Sequence, residues 1–144
     1  MKKTGHFAVF AVLIMGLLLC TACAGRHEKQ DGTVYNIYYV NNEETKIVAR
    51  EYVSETSDGE ALLEELLEQL SHISEKMDYQ TLLSKEISVE SHTLENGLLT
   101  LDFDEKYKEL RGTREILARA SIVRTMTQLP GVERMAFTVE GEQL

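Results

Sequence analysis

Asp102 and Asp104 stand two residues apart, the spacing at which two side chains of a strand share a face. Carboxylates held that close push one another's pKa apart, as an acid–base pair requires. Strand alternation instead puts Asp102 on the solvent-facing side and leaves Asp104 to begin the following turn. His27, His72 and His92 form no His-x-x-x-His pair and no cluster with metal-ligand spacing, so they read as surface residues and no metal is expected. His92 is placed on the strand face opposite Val89. No Gly-x-Ser-x-Gly elbow and no Gly-rich phosphate loop occurs. An enzyme built from these parts would need Asp102, Asp104 and His92 to converge in one cleft. The expectation is therefore a protein without catalytic residues or cofactors.

The two cysteines sit close together near the N-terminus, as Cys20 and Cys23. Before them Lys2 and Lys3 give a positive start, and Phe7–Leu19 is apolar apart from Gly16. A spanning helix needs roughly 20 apolar residues, so this shorter run reads as the core of a secretory signal peptide. Leu19-Cys20-Thr21-Ala22-Cys23-Ala24-Gly25 resembles a bacterial lipobox, in which small residues precede a cysteine that is lipidated and becomes the mature N-terminus. Thr21 and Ala22 suit Cys23 to that role, whereas the leucines before Cys20 do not. The resemblance implies a signal peptide over 1–22, lipidation at Cys23, and a chain held on the outer face of the cytoplasmic membrane. With Cys23 blocked as a thioether, thiol catalysis is excluded.

Lys plus Arg number 15 against 24 Asp plus Glu, a net charge of −9. That balance argues against nucleic acid, whose binding rests on Lys and Arg neutralising phosphates, and against docking on anionic lipid through a basic patch. Two cysteines also exclude a disulfide-stapled miniprotein and a four-cysteine zinc site.

Any site must be held by elements the periodicity predicts. Residues 24–32 are polar and aperiodic, a tether that with Cys23 makes up 23–32. Thr33–Val40 and Lys46–Val53 are rich in aromatic and β-branched residues and predict an antiparallel hairpin across Asn41–Thr45. Ser57 and Glu60 have capping-box spacing ahead of a helix whose stripe is Leu62, Leu63, Leu66, Leu67, Leu70 and Ile73. Residues 75–86 read as loop with a helical turn. Ile87–Leu94 and Leu98–Phe103 flank Asn96-Gly97, the strongest short hairpin signal, with Leu99, Leu101 and Phe103 on one face. A second helix is predicted over 113–128, its stripe Ile116, Ala120, Val123 and Met126/Thr127 backed by Leu117, and stopped by Leu129-Pro130-Gly131. Val132–Val139 is the last strand, with Met135, Phe137 and Val139 inward. The expected fold is mixed α/β (α+β), a two-layer βαββαβ-type sandwich over 33–144 with an N-terminal β-hairpin and both helices on one face of the sheet.

Arg111, Arg114, Arg119 and Arg124 cluster on and before the second helix, where they read as a solvated face. Tyr35, Tyr38, Tyr39 and Tyr52 occupy both faces of the first hairpin. If one face is buried, the exposed remainder is the candidate binding surface, because tyrosine is enriched at interfaces.

Three stretches together resemble the GerMN domain of sporulation and spore-germination proteins. They are Tyr38-Tyr39-Val40 with its hairpin into 46–53, then Leu94–Phe103, and most specifically Ile122–Val132 running on to Phe137-Thr138-Val139-Glu140-Gly141. The resemblance covers residues 33–141 and implies an extracytoplasmic lipoprotein with no known enzymatic activity, built like the ring-forming modules of sporulation machinery. The partners it suggests are the membrane through the lipid, an envelope or sporulation protein, or a second copy of the chain. Peptidoglycan recognised by stacked tyrosines is the alternative.

Overall fold

The computed structural model describes residues 32–72, 78–81, 83 and 87–144. The expected signal peptide, Cys23 and the expected tether as far as Asp31, together with His27 and Ile73, lie outside them. Thr33–Asn41 (β1) pairs antiparallel with Ile47–Ser54 (β2), in register from Thr33 opposite Ser54 to Val40 opposite Ile47. The turn is organised by Asn41, a buried polar side chain with its hydrogen bonds met. Its Oδ1 accepts from the Thr45 and Lys46 backbone N–H groups, each at 2.9 Å, and its Nδ2 donates to Glu43 and Thr45. A buried amide so satisfied fixes the loop, where an unsatisfied one would cost stability.

Helix α1 (Gly59–Ser71) follows. Asp58 is its N-cap, accepting from Ala61 N at 2.9 Å, one residue beyond the predicted Ser57. Asp also takes that role well, and its charge suits the positive end of the helix dipole. Leu62, Leu63, Leu66 and Leu70 are buried as predicted, with Leu67 half-buried beside them. In the stretch expected to be loop with a helical turn, Tyr79–Gln80 (β3) instead adds two residues to β1 opposite Asn41 and Val40. Tyr79 stacks on Tyr39 at 4.3 Å between ring centroids.

Val89–Glu95 (β4) and Leu98–Phe103 (β5) form the predicted second hairpin. Asn96 and Gly97 both take positive φ, 49° and 77°, the condition for a two-residue turn whose twist matches its strands. Leu99, Leu101 and Phe103 are fully buried. A short 3-10 turn (Glu105–Glu109) inserts Tyr107 under Phe103, and α2 (Thr113–Met126) leads to Arg134–Val139 (β6), which runs parallel to β5. Glu142–Gln143 (β7) folds back on the end of β6.

The mixed α/β class stands, with its strands divided between two sheets, β2-β1-β3 and β4-β5-β6-β7. The reason lies in α2. Its buried face is Ala118, Ser121, Ile122, Thr125 and Met126, continued by Leu129; of the predicted stripe Met126 is fully buried, Ala120 and Val123 only half-buried, and Ile116 is 68% exposed. This face lies against β1, and two of its polar side chains bind that strand's backbone. Thr125 Oγ1 accepts from Tyr38 N at 3.0 Å. The Gln128 amide accepts from Asn36 N at 2.9 Å and donates to Asn36 O at 2.7 Å, much as a neighbouring strand would. Side chains thus occupy the edge of β1 that β2 leaves open, and a further strand has no place there. Counting apolar residues alone rotates the helix wrongly, because Ser121 and Thr125 score as polar while being buried; Ser121 meets its own need by donating to Leu117 O at 2.8 Å.

Gln128→Ala leaves the N–H and C=O of Asn36 without that partner, and Thr125→Val does the same to Tyr38 N–H. Each is expected to cost about 1–3 kcal/mol, read as a lower urea midpoint at unchanged slope. Thr127→Ala, at an exposed position on the same turn, should change stability by no more than about 0.5 kcal/mol.

Candidate functional site

The hairpin tyrosines divide by burial. Tyr35 is 9% and Tyr39 6% exposed, so both belong to the core and not to a binding surface. Tyr38 and Tyr52 remain half-exposed. Tyr52 donates to Glu65 of α1, whose other oxygen accepts from Ser54 Oγ at 2.7 Å. Tyr39 donates to Gln69 O of the same helix at 3.0 Å, so both hydroxyls staple α1 to the hairpin. Their pKa values are accordingly pushed up to about 12, for Tyr52 chiefly by the hydrogen bond to Glu65 and for Tyr39 chiefly by burial. Arg124 lies over the Tyr38 ring at 4.7 Å. Tyr38 and Tyr39 also line a cavity of only about 10 Å³, too small for a sugar ring.

The acid–base candidates are kept apart. Asp102 Oδ1 accepts from Thr138 Oγ1 at 2.6 Å and from Gly141 N at 2.8 Å. These two donors hold its carboxyl below the usual range and pin the turn between β6 and β7. Asp104 stands just before the 3-10 turn, and its side chain accepts from Ser88 N and Oγ at 3.0 and 2.9 Å. His92 meets Glu60 of α1 at 2.7 Å. A β-bulge between Val89 and Ser91 corrects the expected position of His92. The extra residue sets Val89 opposite Phe103 and His92 opposite Leu101, so both lie on the face of β4 that continues the inward side of β5. Asp102 is on the other face of that sheet, and the structure does not bring Asp102 and His92 together. The arginines also find partners inside the chain: Arg119 binds Glu115 at 2.7 Å and covers the Phe137 ring, and Arg114 approaches Glu44 at 3.8 Å.

One feature was not legible in the residue pattern. A groove of about 520 Å³ separates α1 from β4, with Leu67, Ile87 and Val89 among its lining and Glu64, Glu68 and Glu90 at its exposed rim. At one end α1 and β4 are bridged by the pair of Glu60 and His92. It arises where a helix and a strand distant in sequence run side by side, which no local periodicity reports. Elsewhere, the Tyr107 hydroxyl is buried with no hydrogen-bond partner among the described residues. Burial pushes its pKa up, against the pull of the nearby Arg119 guanidinium. Among the described residues no helix is long and apolar enough to cross a membrane.

The two-sheet fold is that of a known class of small domains. Residues 36–144 match the family described as "Germane: Sporulation and spore germination", and the chain belongs to that family. Its structure is similar to the first GerMN domain of the sporulation protein GerM from Bacillus subtilis, with a TM-score of 0.63 and 18% identity over 78% of this chain and 86% of that one. The tandem GerMN domains of the same protein match with a TM-score of 0.61 and 17% identity, over 78% of this chain and 40% of that one. A protein of Clostridium perfringens described as a candidate lipoprotein matches with a TM-score of 0.50 and 19% identity, over 78% of each chain. No curated protein matches the sequence.

The Asp102 carboxylate gives a signed pH effect. A lowered folded pKa adds stability that is complete above the unfolded value and lost as pH falls through the folded one. The melting-temperature advantage of the wild type over Asp102→Asn is therefore expected to be full above about pH 5 and to close below about pH 4. In alkaline titration at the tyrosinate band, Glu65→Gln should bring one late ionisation near pH 12 back toward the ordinary tyrosine range.

Proposed function

We propose that this chain is a lipoprotein held at the outer face of the cytoplasmic membrane, whose GerMN domain is a non-catalytic docking module for another protein of the sporulation, germination or envelope machinery. The observation that carries the docking reading is two long open strands at sheet edges. Both β2, over Ile47–Ser54, and β4, over Val89–Glu95, are outermost strands with no strand beside them among the described residues. Unpaired N–H and C=O groups on such edges are templates for a strand from another chain. The lipobox-like run ending in Cys23 supports the membrane attachment, and the likeness to a candidate lipoprotein fits it. Lipid at Cys23 and a tether to residue 32 would keep the domain close to the bilayer, since nine residues reach at most about 30 Å fully extended.

Two measurements test this reading. Cys23→Ala should move the protein from the membrane fraction to the soluble extracytoplasmic fraction; wild-type and variant protein fractionating alike would contradict the anchor. Crosslinking in intact vegetative and sporulating cells, followed by purification of the wild-type lipoprotein, should recover a defined partner protein. Recovery of peptidoglycan fragments without a protein would put glycan binding in place of docking.

A further inference from the structure

Resting on the docking reading, we propose that the partner enters as an extended basic segment, added as a strand to the outer edge of β4 within the groove beside α1. Three features converge there. The edge is open: in an antiparallel ladder every second residue of β4 turns its N–H and C=O away from β5, and no strand among the described residues meets them. The edge is also flanked. A strand laid along it would have Leu67, Ile87 and Val89 beneath its side chains and α1 as the opposite wall.

The third feature is charge. Glu64 and Glu68 stand one helical turn apart on the α1 wall, and Glu90, at the β4 bulge, stands on the other side. All three are exposed, and none has an ion-pair partner among the described residues. The groove's described lining contains no Lys or Arg. A segment alternating apolar and basic side chains satisfies both surfaces at once, its apolar residues on the floor and its Lys or Arg residues at the rim. The edge of β2 lacks this match, because Arg50 and Glu51 stand side by side at its exposed middle.

The test uses the full-length lipoprotein in neutral detergent and a seven-residue peptide of alternating Lys and Val. The peptide should bind saturably, weaken when salt rises from about 0.05 M to about 0.5 M, and protect the outward-facing amides of His92 and Leu94 from hydrogen exchange. An alternating Glu-Val peptide should not bind. Glu64→Gln/Glu68→Gln/Glu90→Gln changes only exposed side chains and should weaken binding at least tenfold. Leu94→Pro, which removes an edge donor where proline is tolerated, should do the same, with the urea midpoint confirming that each variant is folded. Absence of Lys-Val binding, equal binding of both peptides, or protection along β2 instead of β4 overturns the proposal. If these variants still crosslink the partner that the wild type captures in cells, docking stands and the β4 edge is not its site. If the wild type captures no protein at all, the docking reading itself fails.

Discussion

The second edge of β1 is the constraint on which the rest of the domain depends. A strand in the middle of a protein must satisfy backbone groups on both sides, and β2 serves only one. At Val40 and Asn41 the need is met by β3, and at Asn36 and Tyr38 by Gln128 and Thr125. Because those two side chains must reach the strand, the end of α2 is fixed in rotation and in distance. Met126, Ile122 and Ala118 then necessarily face the core. The turn after Gln128, with Gly131 at positive φ, directs the chain into β6 beside β5. The helix end and the Pro-Gly stop are thus also the residues that close β1 and start β6.

From that clasp the two sheets acquire different characters. The β1–β2 sheet is stapled to α1 by tyrosine hydroxyls on Glu65 and Gln69, so its aromatics serve cohesion more than recognition. The second sheet is centred on β5, whose inward side chains are wholly buried, and its turn beyond β6 is tied by Asp102. Between α1 and β4 the two parts of the domain leave a groove. Acidic side chains gather at its rim because both bordering elements turn their solvent faces there. A surface that is incidental to packing and yet bounded by an open strand edge costs the fold little, and so can be shaped for a partner.

Strand alternation read Asp102 and Asp104 as separate, and the structure keeps them so. Asp102 and Asp104 are near neighbours in sequence and separate in purpose, one tied to the β6–β7 turn and the other to Ser88. His92 changed face because one bulge residue was inserted in β4. Period-two arguments hold only while the ladder is regular, and a bulge inverts every assignment beyond it. In α2 the error came from treating burial as a property of apolar side chains, when a buried hydroxyl with a backbone partner is equally at home.

Legible along the chain were the order and type of the long elements, the Asn96-Gly97 hairpin, the inward faces of α1 and β5, and the Pro-Gly helix stop. Each follows from interactions within a few residues, namely side-chain period, capping and the φ values a turn demands. Long-range packing set the division into two sheets, the rotation of α2, the burial of Tyr35 and Tyr39, and the groove along β4. Those depend on which backbone edge a distant side chain satisfies. Gln128 reaches Asn36 across 92 positions of sequence, and no local pattern records a hydrogen bond of that span.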